Sequence, residues 1–243
     1  MQQARHALCI GCQKKIDVLS QLPLCTDCVD RLLHAQRERS PVCPVCLSAL
    51  RPGGECPVCS RDKEHLIERT FSPYRYRGLV RQLILRFKFQ GDYRAAALLA
   101  GGMRRAVAGR AFDAVVFVPL HPNRRLQRGF DQAELLARLV ADAERPLLPA
   151  LMRTRDTTAQ SLLVSPAARL ENIRGAFAVP ADVDVQGKTL LLVDDVRTSG
   201  ATALACARAL HDAGAKSVCL LTAAIAPGSG RNLRKSNEGD SVR

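Results

Sequence analysis

The chain has 243 residues, 47% of them hydrophobic and 24% charged, with a formal net charge of +13. That length suits one large domain or two small ones, and the balance excludes a disordered or collagen-like protein. Its longest apolar stretch, Ala114 to Leu120, is far short of the roughly 20 residues that cross a bilayer. Met1 to Cys12 lacks the apolar run of a secretory signal, so a cytoplasmic protein is expected.

The first element in chain order is a cysteine-rich head. Eight of the ten cysteines, Cys9, Cys12, Cys25, Cys28, Cys43, Cys46, Cys56 and Cys59, form four Cys-x-x-Cys pairs. Each such turn points two thiolates at one ion, and two turns complete a tetrahedral zinc site. A reducing compartment disfavours a disulfide framework. Pro41, Pro44 and Pro57, with Gly11, Gly53 and Gly54, suit the turns around the metal. Two zinc ions are therefore expected. Spacing is compatible with sequential pairing of the four turns and with cross-braced pairing. Four thiolates leave no open coordination position, so these ions are structural. A head spanning residues 1–68 is too small to build much core, so metal should supply most of its folding energy.

From residue 69 to 226 the texture is that of an α/β domain. Leu79, Val80, Leu83, Ile84 and Phe87 recur at helical spacing, with Arg77, Arg81, Arg86 and Lys88 elsewhere on the wheel, and Gly91 ends the run. Ala96, Leu99, Met103 and Val107 predict a second helix. Ala114 to Val118 reads as a buried strand. Asp131 and Glu134 resemble a capping box before another helix. Thr189 to Val193 is a strand, Ala201 to Asp212 a helix closed by Gly214, and Val218 to Ala223 a further strand. Strands alternating with helices predict a mostly parallel sheet with helices on both faces. Ligands in such folds bind beyond the carboxyl ends of the strands. Cys206 and Cys219 sit in apolar stretches and read as buried small hydrophobes. The tail 227–243 is polar and rich in Gly and Ser, and is expected to be disordered.

Charge is concentrated. Residues 71–130 carry 12 basic and 2 acidic side chains. Such a field suits phosphates or single-stranded DNA, although a solvated basic face would look the same. Aromatic residues are 4% of the chain, so base stacking falls to few side chains: Phe71, Tyr74, Tyr76, Phe87 and Phe89, most of which should serve the core.

The most informative segment runs from Leu190 to Thr202. A hydrophobic strand ends in Asp194 and Asp195, a turn with Thr198, Ser199 and Gly200 follows, and Ala201 and Thr202 begin a helix. The turn and helix N-terminus offer backbone amides and hydroxyls to a phosphate, and Gly200 allows close approach. Carboxylates would repel that phosphate, so they fit sugar hydroxyls or Mg²⁺ on the same ligand. A ribose 5-phosphate needs both. The loop after strand 114–118 contains Leu120, His121, Arg124, Arg125 and Arg128, suited to a leaving group of high negative charge.

This segment resembles the phosphoribosyltransferase signature. Val118-Pro119-Leu120-His121, Arg128-Gly129-Phe130-Asp131-Gln132, then Thr158, Gln160, Leu163, Arg169, Asn172, Ala176 and Phe177 stand in order before it. Arg86-Phe87-Lys88-Phe89, Gly91, Asp92 and the cysteine-rich head precede them. Over residues 9–225 the whole resembles the ComF family of competence proteins. Asp131 and Ser199 depart from the Asn and Thr usual there. The resemblance implies a type I phosphoribosyltransferase-like sheet behind a double zinc ribbon. It implies a cytoplasmic protein of DNA uptake and natural transformation, meeting single-stranded DNA and the uptake machinery. It places the ribose hydroxyls of phosphoribosyl diphosphate, or a related sugar phosphate, at Asp194 and Asp195, the 5-phosphate at residues 198–202, and a mobile hood at 153–177 with Arg153, Arg155, Arg169 and Arg174. Arg197 occupies a variable position and receives no role. Mg²⁺ would accompany the diphosphate. No residue stands out as a general base, so transferase activity is left open. The alternative is a nucleotide-salvage phosphoribosyltransferase with a structural zinc head.

Overall fold

The computed structural model describes residues 6–17, 22–35, 41–61, 64–155, 173 and 175–226. Four strands form its central sheet. They are β3 (Arg69–Phe71), β5 (Ala114–Phe117), β8 (Thr189–Arg197) and β9 (Ser217–Ile225), in the order β3-β9-β8-β5, all parallel. A short fifth strand, β4 (Tyr74–Arg75), continues along β9 beyond β3. Past β5, Leu147 adds one parallel bridge to Val115. Leu190 to Val193 and Val218 to Ala224 are buried without interruption, as expected when helices cover both faces.

Those helices follow the apolar spacing. In α2 (Gly78–Gln90) the buried side chains are Leu79, Val80, Leu83, Ile84 and Phe87, and Gly91 ends it in the left-handed region at φ 62°. Asp92 caps α3 (Tyr93–Ala106) by accepting from the Arg94 amide. Asp131 caps α5 (Gln132–Val140), accepting from the amides of Ala133 and Glu134. Helices α3 and α5 pack together and against the sheet, while α6 (Ala201–Asp212) packs on β8 and β9. Cys206 and Cys219 are buried in the apolar core as expected.

Two sequence expectations change. The segment 119–132, read as a loop, contains a short helix, α4 (Pro122–Arg128). Pro122 supplies a preset first helical turn, His121 caps it, and Gly129 closes it at φ 78°. Strand β8 does not stop at Val193. Its ladder with β9 carries Asp194, Val196 and Arg197 into the sheet, so the acids stand on the strand rather than after it.

The head packs on this sheet through apolar contacts and hydrogen bonds. Strands β1 (His6–Leu8) and β2 (Lys15–Asp17) form an antiparallel ribbon, followed by α1 (Thr26–His34). Cys9, Ile10, Leu24 and Cys28 belong to the same buried cluster as Leu79. The Ala35 carbonyl accepts from the Arg75 amide. A small antiparallel pair, β6 (Met152–Arg153) with β7 (Phe177–Ala178), forms the root of the expected hood. Thr158, Gln160, Leu163, Arg169, Asn172 and Arg174 lie outside the described residues, as does the tail 227–243. Among the described residues no helix is long and apolar enough to cross a membrane.

Candidate functional site

Each set of four head cysteines converges. The Sγ atoms of Cys9, Cys12, Cys25 and Cys28 lie within 4.8 Å of one another, and so do those of Cys43, Cys46, Cys56 and Cys59. Pairing is therefore sequential, not cross-braced. Four sulfurs around zinc at about 2.3 Å would sit about 3.8 Å apart. Cys12 and Cys25 are 3.5 Å apart, Cys43 and Cys59 3.8 Å, and Cys46 and Cys56 3.4 Å, so either set could hold one metal ion. Backbone amides of Gly11 and Cys25 donate to the Cys9 sulfur. Burial raises the Cys9 pKa, but these donors outweigh it and hold it at about 6. Cys56, which accepts from the Cys59 amide, is held at about 7 in the same way against its burial.

The second centre lies at the carboxyl end of β8. Asp194 and Asp195 are adjacent and partly buried, and the Asp195 amide donates to Asp194 Oδ1 at 2.8 Å. Burial, then repulsion from Asp195, pushes the Asp194 carboxyl up to about 8, so it keeps its proton at neutral pH. Lys88 Nζ meets Asp195 Oδ2 at 2.6 Å. Burial alone would lower the Lys88 pKa, but the Asp195 and Asp194 carboxylates outweigh it and raise it.

Lys88, on the polar side of α2 by its apolar spacing, belongs to this candidate site. A signal was present: Val80, Ile84 and Lys88 follow at four-residue steps along one row of α2. The lysine continues the buried row and brings its charge to the sheet.

Beyond Arg197, Thr198 is exposed, Ser199 and Thr202 are half-buried, and Gly200 and Ala201 are buried. Gly200 adopts φ 85°, and α6 starts immediately after it. The Ser199 hydroxyl accepts from the Ala201 amide at 3.4 Å. Thr198 and Ser199 are the solvent-reached part of this turn at a helix N-terminus, where backbone amides and the positive end of the helix dipole favour an anion.

The structure places the α4 residues on the neighbouring strand end. His121 accepts from the Asn123 amide through Nδ1. Arg128 donates to Gln132 at 2.8 Å, and Arg125 pairs with Glu134 at 3.1 Å. The Leu120 amide already donates to Asp131 Oδ2 at 2.7 Å, so an anion at Leu120 must displace that carboxylate.

Of the five aromatics singled out, Tyr74 and Phe87 are core residues and Phe89 is 69% exposed. Arg128 lies over the Phe89 ring, 5.6 Å from its centroid. Tyr93, which the sequence reading passed over, is 58% exposed and lies 5.8 Å from Phe130. Beside them opens a cleft of about 430 Å³ lined by Arg86, Gln90, Gly91, Asp92, Tyr93 and Arg94. Basic and aromatic side chains thus lie together around the C-terminus of α2.

DNA utilization protein YhgH of Salmonella typhimurium is 31% identical to this chain over 226 residues, which span 87% of this chain and 93% of the relative. Competence protein F of Haemophilus influenzae is 28% identical over 82% of each chain. Competence protein ComFC of Bacillus subtilis is 27% identical over 84% of this chain and 92% of its own. The chain belongs to the ComF family. No family model matches it. Among solved structures, glutamine phosphoribosylpyrophosphate amidotransferase of B. subtilis matches 53% of this ComF chain and 26% of its own at 25% identity, with a TM-score of 0.37. Orotate phosphoribosyltransferase of Mycobacterium tuberculosis, in complex with 5-phospho-alpha-D-ribosyl 1-diphosphate, matches 62% and 80% at 17% identity and a TM-score of 0.33.

Proposed function

We propose that this ComF protein acts in the cytoplasm in DNA uptake, binding phosphoribosyl diphosphate or a related sugar phosphate at the end of β8. Asp194 and Asp195 take the ribose hydroxyls. A protonated Asp194 donates one hydrogen bond, and Asp195, held by Lys88, accepts another. The turn Thr198–Thr202 takes the 5-phosphate through amides and hydroxyls. His121, Arg124 and Arg128 face the diphosphate, with Mg²⁺ offsetting part of its charge when bound. The observation that supports this reading is the acid pair near the end of β8, two residues before the turn at the start of α6.

Single-stranded DNA is proposed to lie across the basic and aromatic face. Phe89 and Tyr93 offer stacking surfaces, while Arg94 and Arg128 offer phosphate contacts. The two four-cysteine sets hold zinc and keep the head on the sheet. Proteins of the uptake machinery would meet the same molecule.

Calorimetric titration of phosphoribosyl diphosphate with Mg²⁺ tests the sugar-phosphate site. Saturable binding is expected, and it should vanish in the Asp194→Ala, Asp195→Ala double variant. No binding, or binding that survives both substitutions, would overturn the assignment.

A further inference from the structure

The two four-cysteine sets are joined to the sheet differently. The Pro44-Val45-Cys46 turn of the second set is hydrogen-bonded to Thr70 in the middle of β3 and to Arg197 at the end of β8. Its Pro44 carbonyl accepts from the Thr70 amide at 2.8 Å, and its Val45 carbonyl accepts from the Thr70 hydroxyl. The Cys46 carbonyl accepts from Arg197 Nη1 at 2.6 Å.

Arg197 is the last residue of β8 and is only 8% exposed. Among the described residues its Nε has no hydrogen-bond partner. The other side of its guanidinium lies against the bare face of Gly200. A Cβ on Gly200 would stand 2.9 Å from Nη2 and 3.1 Å from Nε of Arg197. A buried guanidinium needs compensating charge. Four thiolates around one divalent ion carry a net charge of about −2 and supply it from the cysteine side. One arginine therefore touches the backbone of a metal ligand with one edge and supports the phosphate turn with another.

We propose that Arg197 is a positioning residue that couples the second metal set to the phosphate turn, so that metal at Cys43, Cys46, Cys56 and Cys59 raises the turn's affinity for phosphate. With metal bound, the Cys46 carbonyl is fixed and Arg197 is pinned beneath Gly200. Without it the Cys46 turn loosens, Arg197 loses its anchor and its countercharge, and the amides at 200–202 lose their fixed spacing. Linkage makes the effect reciprocal: phosphate must hold the second metal more tightly. Among the described residues the first set makes no hydrogen bond to β8 or to the turn, and its Gly11 packs on Cys28 and on Leu79 of α2. This inference rests on the phosphate reading of the turn.

The test uses the full chain, inorganic phosphate and phosphoribosyl diphosphate as anions, and zinc release to a chromogenic chelator as the metal readout. Cys12→Ser leaves only the second set intact, and Cys56→Ser only the first. Phosphate should slow zinc release from Cys12→Ser by about five-fold or more, as typical coupling energies allow, and leave Cys56→Ser unchanged. Arg197→Met should abolish that protection. In the otherwise wild-type chain it should weaken phosphate binding by a similar factor while both zinc ions stay bound. That last measurement decides the question if a cysteine variant fails to fold. Phosphate binding that is indifferent to Arg197 and to the second metal would overturn the coupling alone. A wild-type chain that binds neither anion would overturn the phosphate reading, and the coupling with it.

Discussion

The two cysteine sets have nearly the same sequence pattern and different surroundings. The first is built into apolar packing: Cys9 and Cys28 are fully buried, and they share a cluster with Ile10, Leu24 and Leu79. The second is built into polar contacts with Thr70 in the middle of β3 and with Arg197 at the end of β8, beside the turn that begins α6. Identical metal chemistry can thus serve two ends. One set closes a core that the small head could not build alone. The other holds backbone beside the proposed phosphate turn.

The largest expected effect is on stability. Stripping metal from the first set removes a ligand-fixed part of the shared core. The apparent metal-binding free energies of small zinc modules, about 10–16 kcal/mol, set the upper scale for the loss. Chelation should therefore lower the thermal midpoint strongly, and more in Cys56→Ser, which keeps only the first set, than in Cys12→Ser. Equal losses from the two variants would erase the distinction between the sets.

Two glycines sharpen it next. A Cβ at Gly11 would stand 2.8 Å from the Cys28 sulfur and 2.9 Å from Leu79 Cδ1, so Gly11→Ala should cost about 1–3 kcal/mol of stability by overpacking. Anion binding should remain. Gly200→Ala should do the opposite. The backbone there is at φ 85° and Arg197 is in the way, so phosphate affinity should fall by at least ten-fold, with a smaller loss of stability. Denaturant melts and phosphate titrations on both variants check the pair.

A smaller effect follows from Asp194. Its folded pKa of about 8 lies above the ordinary carboxyl value of 3.8, so the folded chain holds a proton that the unfolded chain releases. The stabilising contribution is complete below about pH 4 and is lost as pH rises to about 8, with a slope no steeper than about 1.4 kcal/mol per pH unit. Asp194→Asn should flatten that part of the stability profile. An unchanged profile would place the carboxyl's titration elsewhere.

On the basic face, Phe89→Ala should weaken binding of single-stranded oligonucleotides without changing the salt dependence, since stacking releases no counterions. Arg128→Ala should reduce the salt slope by about one. Fluorescence anisotropy across a salt series separates the two.

Much of this was readable before folding was considered. The strand that carries Asp194–Asp195, the helix cap at Asp131 and the Gly91 stop follow from local patterns, although the strand runs two residues past the acids. The metal turns did too, although spacing alone left two pairings open. What was not readable depended on distant partners. Lys88 looked solvent-facing because its partner, Asp195, lies 107 positions later in the chain. Arg197 received no role because its hydrogen-bond partner, Cys46, is far away in sequence and adjacent only once β8 is laid beside the head. The α4 helix lies in a segment read only as the connection after strand 114–118, while Pro122 and Gly129 are its boundary signals.

A crystal structure of the full chain soaked with phosphoribosyl diphosphate and Mg²⁺ puts the whole account at risk in one step. Density for the terminal phosphate should lie within hydrogen-bond reach of the amides at 200–202, with the ribose hydroxyls on Asp194 and Asp195. Ligand density confined to the α4 arginines, with nothing lodged at the head of α6, would contradict it.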